Sequence, residues 1–186
     1  MNLKPPYRIV DNFLSDKDFS NLKNIFTNSE FNWNYHFHSS TTAGVVEKYD
    51  TYLTHEFFFQ AHSRDPKNFG MMDKYYLQVN KLIEKLDVIE LFNIRANLNL
   101  FLEEPYVTEP HVDHNEKGYK TCVFYINTNN GKTRLTDIGL DVHCRENRAF
   151  IFNSDVEHAA IIQTDEKERI VININFKPRE GSVFDF

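Results

Sequence analysis

The chain has 186 residues and a mass of 22.0 kDa, enough for one domain with a sizeable core and too little to expect a second. A net charge of -6 argues against a protein built to grip a phosphate backbone, which needs clustered Lys and Arg, so no nucleic-acid partner is expected unless a local basic groove forms. No apolar run approaches the roughly 18 residues of a bilayer span, the opening "MNLKPPYRIVDNF" has no leader-like apolar stretch, and a cytoplasmic protein without a membrane partner is expected.

In chain order, "YRIVDNFL" reads as a short strand. The segment "SDKDFSNLKNIFTN" follows, with Ser15 three residues before Asp18 and with Phe19, Leu22, Ile25 and Phe26 at helical spacing, which predicts a helix over 16–27. Residues 31–62 read as extended structure around a loop at "SSTTAGVVEKYD" able to cover a site. Within that stretch Trp33, Tyr35 and Phe37 alternate with polar neighbours and are expected in the core. His36 and His38 lack a third ligand at metal spacing. "GMMDKYYLQVNKLIEKLDV" carries Met72, Tyr75, Tyr76, Val79, Leu82, Ile83 and Leu86 on one stripe and predicts a second helix over 71–87.

From residue 91 the pattern turns to short strands. In "RANLNLFL", Leu98, Leu100 and Leu102 oppose Asn97, Asn99 and Phe101; in "RIVININF", Ile170, Ile172, Ile174 and Phe176 oppose Arg169, Val171, Asn173 and Asn175. The apolar faces read as core. Asn is a poor strand residue, so the polar faces read either as solvent-exposed or as a lumen with something to hydrogen-bond. Asn130-Gly131 predicts a type I' hairpin turn, and Cys122 and Cys144, with no CxxC spacing, predict buried reduced thiols.

His111 and Asp113, two apart at a strand end, point to the same side and can chelate one ion. Two imidazoles and one carboxylate on one face of an octahedron suit a mononuclear iron that must keep open positions. A later histidine must complete the set: His158 after the strand "RAFIF", or His143 in "GLDVHCREN". Arg169 stands eleven residues beyond His158 and opens the strand with the polar face.

This ordered set resembles the catalytic core of the iron(II) and 2-oxoglutarate dependent oxygenases, over about residues 92–177. The likeness is greatest to the prolyl 4-hydroxylase-like branch and its phage and bacterial relatives. The family pattern H-x-D...H...R/K is matched by His111, Asp113, His158 and Arg169, and "TCVFYINTNNGKTRL" resembles the branch's strand-hairpin element. The resemblance implies a mainly β fold with helical support (α+β). This is a double-stranded β-helix or jelly roll, with residues 1–90 supplying helices and extra strands and 91–177 the core of a single domain.

It further implies Fe(II) on His111, Asp113 and His158, 2-oxoglutarate chelating that metal and reaching Arg169 through its distal carboxylate, dioxygen at the remaining position, and ascorbate as reductant. Tyr125 stands where the branch directs a hydroxyl at the cosubstrate; the alternation adds Asn99, Asn173 and Asn175 as further contacts. The implied reaction is hydroxylation of a peptidyl residue such as proline, or of a small molecule, with release of succinate and CO2. Asp113 favours this over halogenation, for which the family leaves that ligand position free. The chain departs from the branch at Asn147, where a Gly is usual, at Phe101, where a Tyr is usual, and in having His114 beside Asp113, which is expected to point away from the metal.

A jelly-roll binding or sensor module without turnover is the competing class. Specificity is expected in residues 33–60, 103–110 and 114–119, where the acidic "EEPYVTEP" favours a neutral or cationic substrate. The sequence leaves the oligomeric state open.

Overall fold

The computed structural model of the chain describes residues 6–36, 51–59, 71–72 and 74–186. The elements in order are β1 Tyr7–Val10, α1 Asp16–Ile25, β2 Asn34–His36, β3 Tyr52–Phe59, β4 Met71–Met72, α2 Tyr76–Leu86, β5 Val88–Leu100, β6 Lys120–Tyr125, β7 Lys132–Leu135, β8 Leu140–His143, β9 Arg148–Asn153, β10 His158–Ile161 and β11 Glu168–Pro178. The larger sheet runs β1-β9-β6-β11-β5-β3-β2, with β4 on β3, and the smaller runs β10-β7-β8. This is the jelly-roll pair of sheets expected from the sequence, with β6, β11 and β5 central.

Helix α1 begins as predicted. The Ser15 hydroxyl accepts from the Asp18 backbone N–H at 3.2 Å and donates to the Asp18 carboxylate at 2.7 Å, satisfying a donor that a helix start leaves without a partner. Helix α2 starts at Tyr76, five residues later than expected: Met71 and Met72 pair with Phe59 and Phe58 as β4, so Met72 is not on the helical stripe. Asp87, in the left-handed region at φ 54°, ends the helix and turns the chain straight into β5.

Alternation along the strands separates two apolar layers. Ile94, Ala96, Leu98, Ile172 and Ile174 face α1 and α2, whose Leu22, Val79 and Leu82 are fully buried. Val123, Leu135, Val142, Phe150 and Phe152 fill part of the space between the sheets. Trp33 packs on Phe26 and Phe31 at the rim of the first layer. Two expectations of burial fail. Leu100 is 53% exposed because it is the last residue of β5, beyond the reach of the helices, and Tyr35 is 52% exposed on edge strand β2. Phe37, His38 and the 39–50 loop lie outside the described residues. Both cysteines are buried and free.

The predicted hairpin at Asn130-Gly131 is also absent. β6 and β7 belong to different sheets, and neither residue has a positive φ, so this segment crosses between sheets. The hairpin in this region is β7–β8, turning through Gly139 at φ 61°.

Candidate metal centre

The site sits between the sheets, where β10 of the smaller sheet meets the segment after β5. His111 and His158 form an antiparallel bridge, exchanging backbone hydrogen bonds of 3.0 and 2.9 Å, and Asp113 follows two residues on. The three side chains place one ligand atom each within 4.8 Å of one another. The Nε2 atoms of His111 and His158 lie 3.6 and 3.7 Å from the Asp113 carboxylate oxygens. His143, the competing third ligand, is exposed on β8 and outside this cluster. His114 turns away, stacked on Tyr119 at 4.3 Å between centroids.

The donor set is prepared for a cation. Nδ1 of His158 faces the Val156 carbonyl at 3.1 Å and Nδ1 of His111 faces the Glu109 carbonyl at 3.4 Å. A carbonyl only accepts, so the tautomer that suits each contact carries its proton on Nδ1 and turns the Nε2 lone pair toward the cluster. Burial keeps the His158 imidazole below its ordinary pKa, against the pull of Asp113. Burial would raise the Asp113 carboxyl, but His158, hydrogen bonds from Asn175 and Thr121, and His111 together hold it below the ordinary carboxylate value. Those bonds, 2.8 Å from Thr121 Oγ1 and 3.0 Å from Asn175 Nδ2, both end on Oδ2 and leave Oδ1 available. Two imidazoles and an ionised carboxylate fit a divalent metal.

A cavity of about 320 Å³ opens from the cluster toward Arg169. Asn97, Asn99, Asn173 and Asn175 line it, so the polar faces of β5 and β11 look into a lumen rather than into solvent. Arg169 is 3% exposed. Its guanidinium donates to Cys144 Sγ at 3.1 Å, Asn99 Oδ1 at 3.3 Å and Thr133 Oγ1 at 3.3 Å, and no carboxylate pairs with it among the described residues. A buried cation held only by neutral groups is costly unless an anion joins it. The Tyr125 hydroxyl, fully buried, donates to Thr133 Oγ1 at 2.8 Å; burial pushes its pKa up, so it stays a neutral donor. Phe101 is half-exposed at the end of β5 and outside the cavity wall.

Sequence reasoning missed several residues here. Thr121 shares the β6 face of Tyr125, so alternation could have found it. Thr133, Cys144 and Gly131 come from the smaller sheet and its approach, which no local pattern ties to Arg169. A Cβ on Gly131 would meet Asn129 Oδ1 at 2.7 Å, Ile161 O at 3.0 Å and Arg169 Cδ at 3.1 Å. Close packing, not turn geometry, accounts for this glycine.

No protein-family model and no curated protein matches the sequence. Solved structures do match. A 2-oxoglutarate and iron(II) oxygenase family oxidoreductase from Burkholderia pseudomallei aligns at TM-score 0.63 and 8% identity, over 97% of this chain and 89% of that one. A Pseudomonas putida prolyl-4-hydroxylase aligns at 0.56 and 15%, over 94% and 93%. The viral collagen prolyl hydroxylase of Paramecium Bursaria Chlorella virus-1, in its 2-oxoglutarate complex, aligns at 0.53 and 12%, over 94% and 97%. At such identities the likeness establishes the double-stranded β-helix fold.

Proposed function

We propose that the protein is an iron(II) and 2-oxoglutarate dependent dioxygenase that hydroxylates a peptidyl residue or a small molecule. The observation that carries this reading is the pairing, in one cavity, of a His-Asp-His cluster with a buried guanidinium that has no carboxylate partner among the described residues. The cluster alone calls for a metal and the guanidinium alone for an anion. Together they would hold a metal on His111, Asp113 and His158 and a carboxylate of a dicarboxylate cosubstrate on Arg169. The shared fold supports the reading, since the matching structures include oxygenases of this chemistry.

When bound, iron(II), 2-oxoglutarate and dioxygen supply the oxidising equivalents for placing one oxygen atom in a substrate C–H bond, with succinate and CO2 released. The chain's own part is geometry. His111, Asp113 and His158 would hold the metal by one face. Arg169 would take the distal carboxylate of the cosubstrate in a charge-assisted pair, steadied by Thr133, Cys144 and Asn99, with the Tyr125 hydroxyl held beside it through Thr133. Asn173 faces the path between metal and Arg169, whereas Asn175 acts on Asp113.

The test is anaerobic titration with Fe(II) and then 2-oxoglutarate, following the visible metal-to-ligand charge-transfer band, with Arg169→Ala alongside. The expected result is a band that needs both additions and, in the variant, far more 2-oxoglutarate, while metal affinity is retained. A folded protein that gives no band overturns the proposal and leaves a binding barrel whose lumen takes another ligand.

A further inference from the structure

The cavity holds a second guanidinium that the reading above does not use. Arg95 lies on β5 between Asn93 and Asn97, and all three line the cavity. Its surroundings contrast with those of two ion-paired arginines. Arg134 and Arg148 make ion pairs of 2.6 Å with Asp141 and Asp11. Arg95 faces its cross-strand partner Glu56 at 3.8 Å, too far for a hydrogen bond, and its Nε is buried with no hydrogen-bond partner among the described residues.

Three amide oxygens around it share that state: Asn93 Oδ1, Asn97 Oδ1 and Asn173 Oδ1 are buried without donors among the described residues. Buried polar atoms are seldom left so, and a cluster of them in one wall marks where a ligand supplies the partners.

Register sets this wall apart from the cosubstrate's anchor. Arg169 pairs with Asn99, and Arg95 lies four residues further along β5, about 13 Å at the rise of a strand. Asn93, only two residues from Arg95, pairs with Asn175, which holds the metal ligand Asp113. By register Arg95 therefore lies on the His-Asp-His side of Arg169, and it is at the metal that a substrate must present its C–H bond. The wall offers one cation for an anion and three amide oxygens for N–H groups; Glu56 stands outside it, exposed. From the acidic segment 103–110, Glu109 also lines the cavity. An acidic mouth with a guanidinium inside suits a group that is neutral as a whole and carries both signs. The one cavity of about 320 Å³, at the small end of the roughly 300–1,000 Å³ of ligand pockets, must also take the cosubstrate at Arg169, which leaves room for a small group.

We propose that Arg95, with Asn93, Asn97 and Asn173, reads an α-carboxylate beside an α-nitrogen, so that the substrate is a free amino acid or the C-terminal residue of a peptide. This rests on the oxygenase reading and narrows its substrate class.

The test starts from the anaerobic protein with Fe(II) and 2-oxoglutarate bound. It is titrated with L-amino acids, their carboxamides, their N-acetyl derivatives and dipeptides, following the shift of the charge-transfer band and then succinate release in air. A member of the panel is expected to shift the band, and its carboxamide to bind about tenfold or more weakly, the loss expected for a charge-assisted hydrogen bond. A preference for the free amino acid, or for the N-acylated forms, identifies the source. Arg95→Gln is expected to raise the KM for that substrate about tenfold or more, with the 2-oxoglutarate requirement of the band unchanged. Arg95→Lys, which keeps a cation, retains part of that binding and separates recognition from a folding defect. Carboxamides that bind as well as acids, a band that no member shifts, or an Arg95→Gln protein that loses 2-oxoglutarate affinity each overturn the inference. If no band forms at all, it is the oxygenase reading that fails, and the inference falls with it.

Discussion

Asp113 can offer Oδ1 to a metal because Thr121 and Asn175 hold Oδ2. Removing one of these partners leaves the ligands in place but frees the carboxylate to rotate. Asn175→Ala is therefore expected to weaken Fe(II) binding about 10- to 100-fold, the usual cost of losing a group that orients a ligand, measured by anaerobic metal titration; unchanged affinity would show that Thr121 alone fixes the carboxylate. Gly131→Ala acts at the other end. Its methyl group would sit 3.1 Å from Arg169 Cδ and 2.7 Å from Asn129 Oδ1, so one of them must move, at about 1–3 kcal/mol for overpacking. The expected outcome is a higher 2-oxoglutarate requirement with metal affinity preserved. The difference in legibility between these two positions is physical. Asn175 belongs to a strand whose two-residue alternation displays its facing, whereas the role of Gly131 arises from contact between chain segments distant in sequence, which its Asn-Gly context disguises as a hairpin turn.

Between elements, the tie from the β1–α1 connection to β9 is made by Asn147. It adopts φ 57°, and its amide accepts from Leu14 N at 2.8 Å and donates to Leu14 O at 2.9 Å. Asn147→Gly keeps the backbone relaxed but loses both bonds; Asn147→Ala loses them and adds left-handed strain of about 1–2 kcal/mol. Ala is thus expected to be the more destabilising in denaturant unfolding. Next to it, Arg148 grips Asp11. Hydrogen bonds from Arg148, opposed by burial and aided by the charges of Arg148 and Arg145, hold the Asp11 carboxyl below its ordinary value. A depressed carboxyl stabilises the fold above its unfolded pKa and loses that contribution as pH falls through the folded one, below about 4. The melting difference between wild type and Asp11→Asn should accordingly be present at pH 7 and shrink toward pH 3. Helix α1 and the strands β5, β6, β9 and β11 were legible because periodicity and capping agree there. The start of α2 was not, because Met72 falls on the helical stripe by spacing while its backbone pairs with β3.

For the molecule as a whole, β5 and β11 divide the work between their faces. One face is apolar against the helices and supplies stability; the other is polar, lines the cavity, and holds buried groups that the fold alone does not satisfy. Arg169 is the extreme case: a nearly fully buried cation whose three partners are all neutral. Replacing a poorly compensated buried charge with an apolar side chain of similar length is often neutral or stabilising. Arg169→Met is therefore expected to leave the ligand-free protein as stable as wild type or more so. With Fe(II) present, wild type should gain about 2.7 kcal/mol when 2-oxoglutarate reaches a hundredfold excess over its Kd, and Arg169→Met should gain almost none at the same concentration. Denaturant unfolding with and without 2-oxoglutarate measures both halves. A ligand-free variant that is strongly destabilised would make the guanidinium a structural member of the barrel. A stable variant that has lost the ligand-dependent gain would show that the fold tolerates this charge for the sake of an anion.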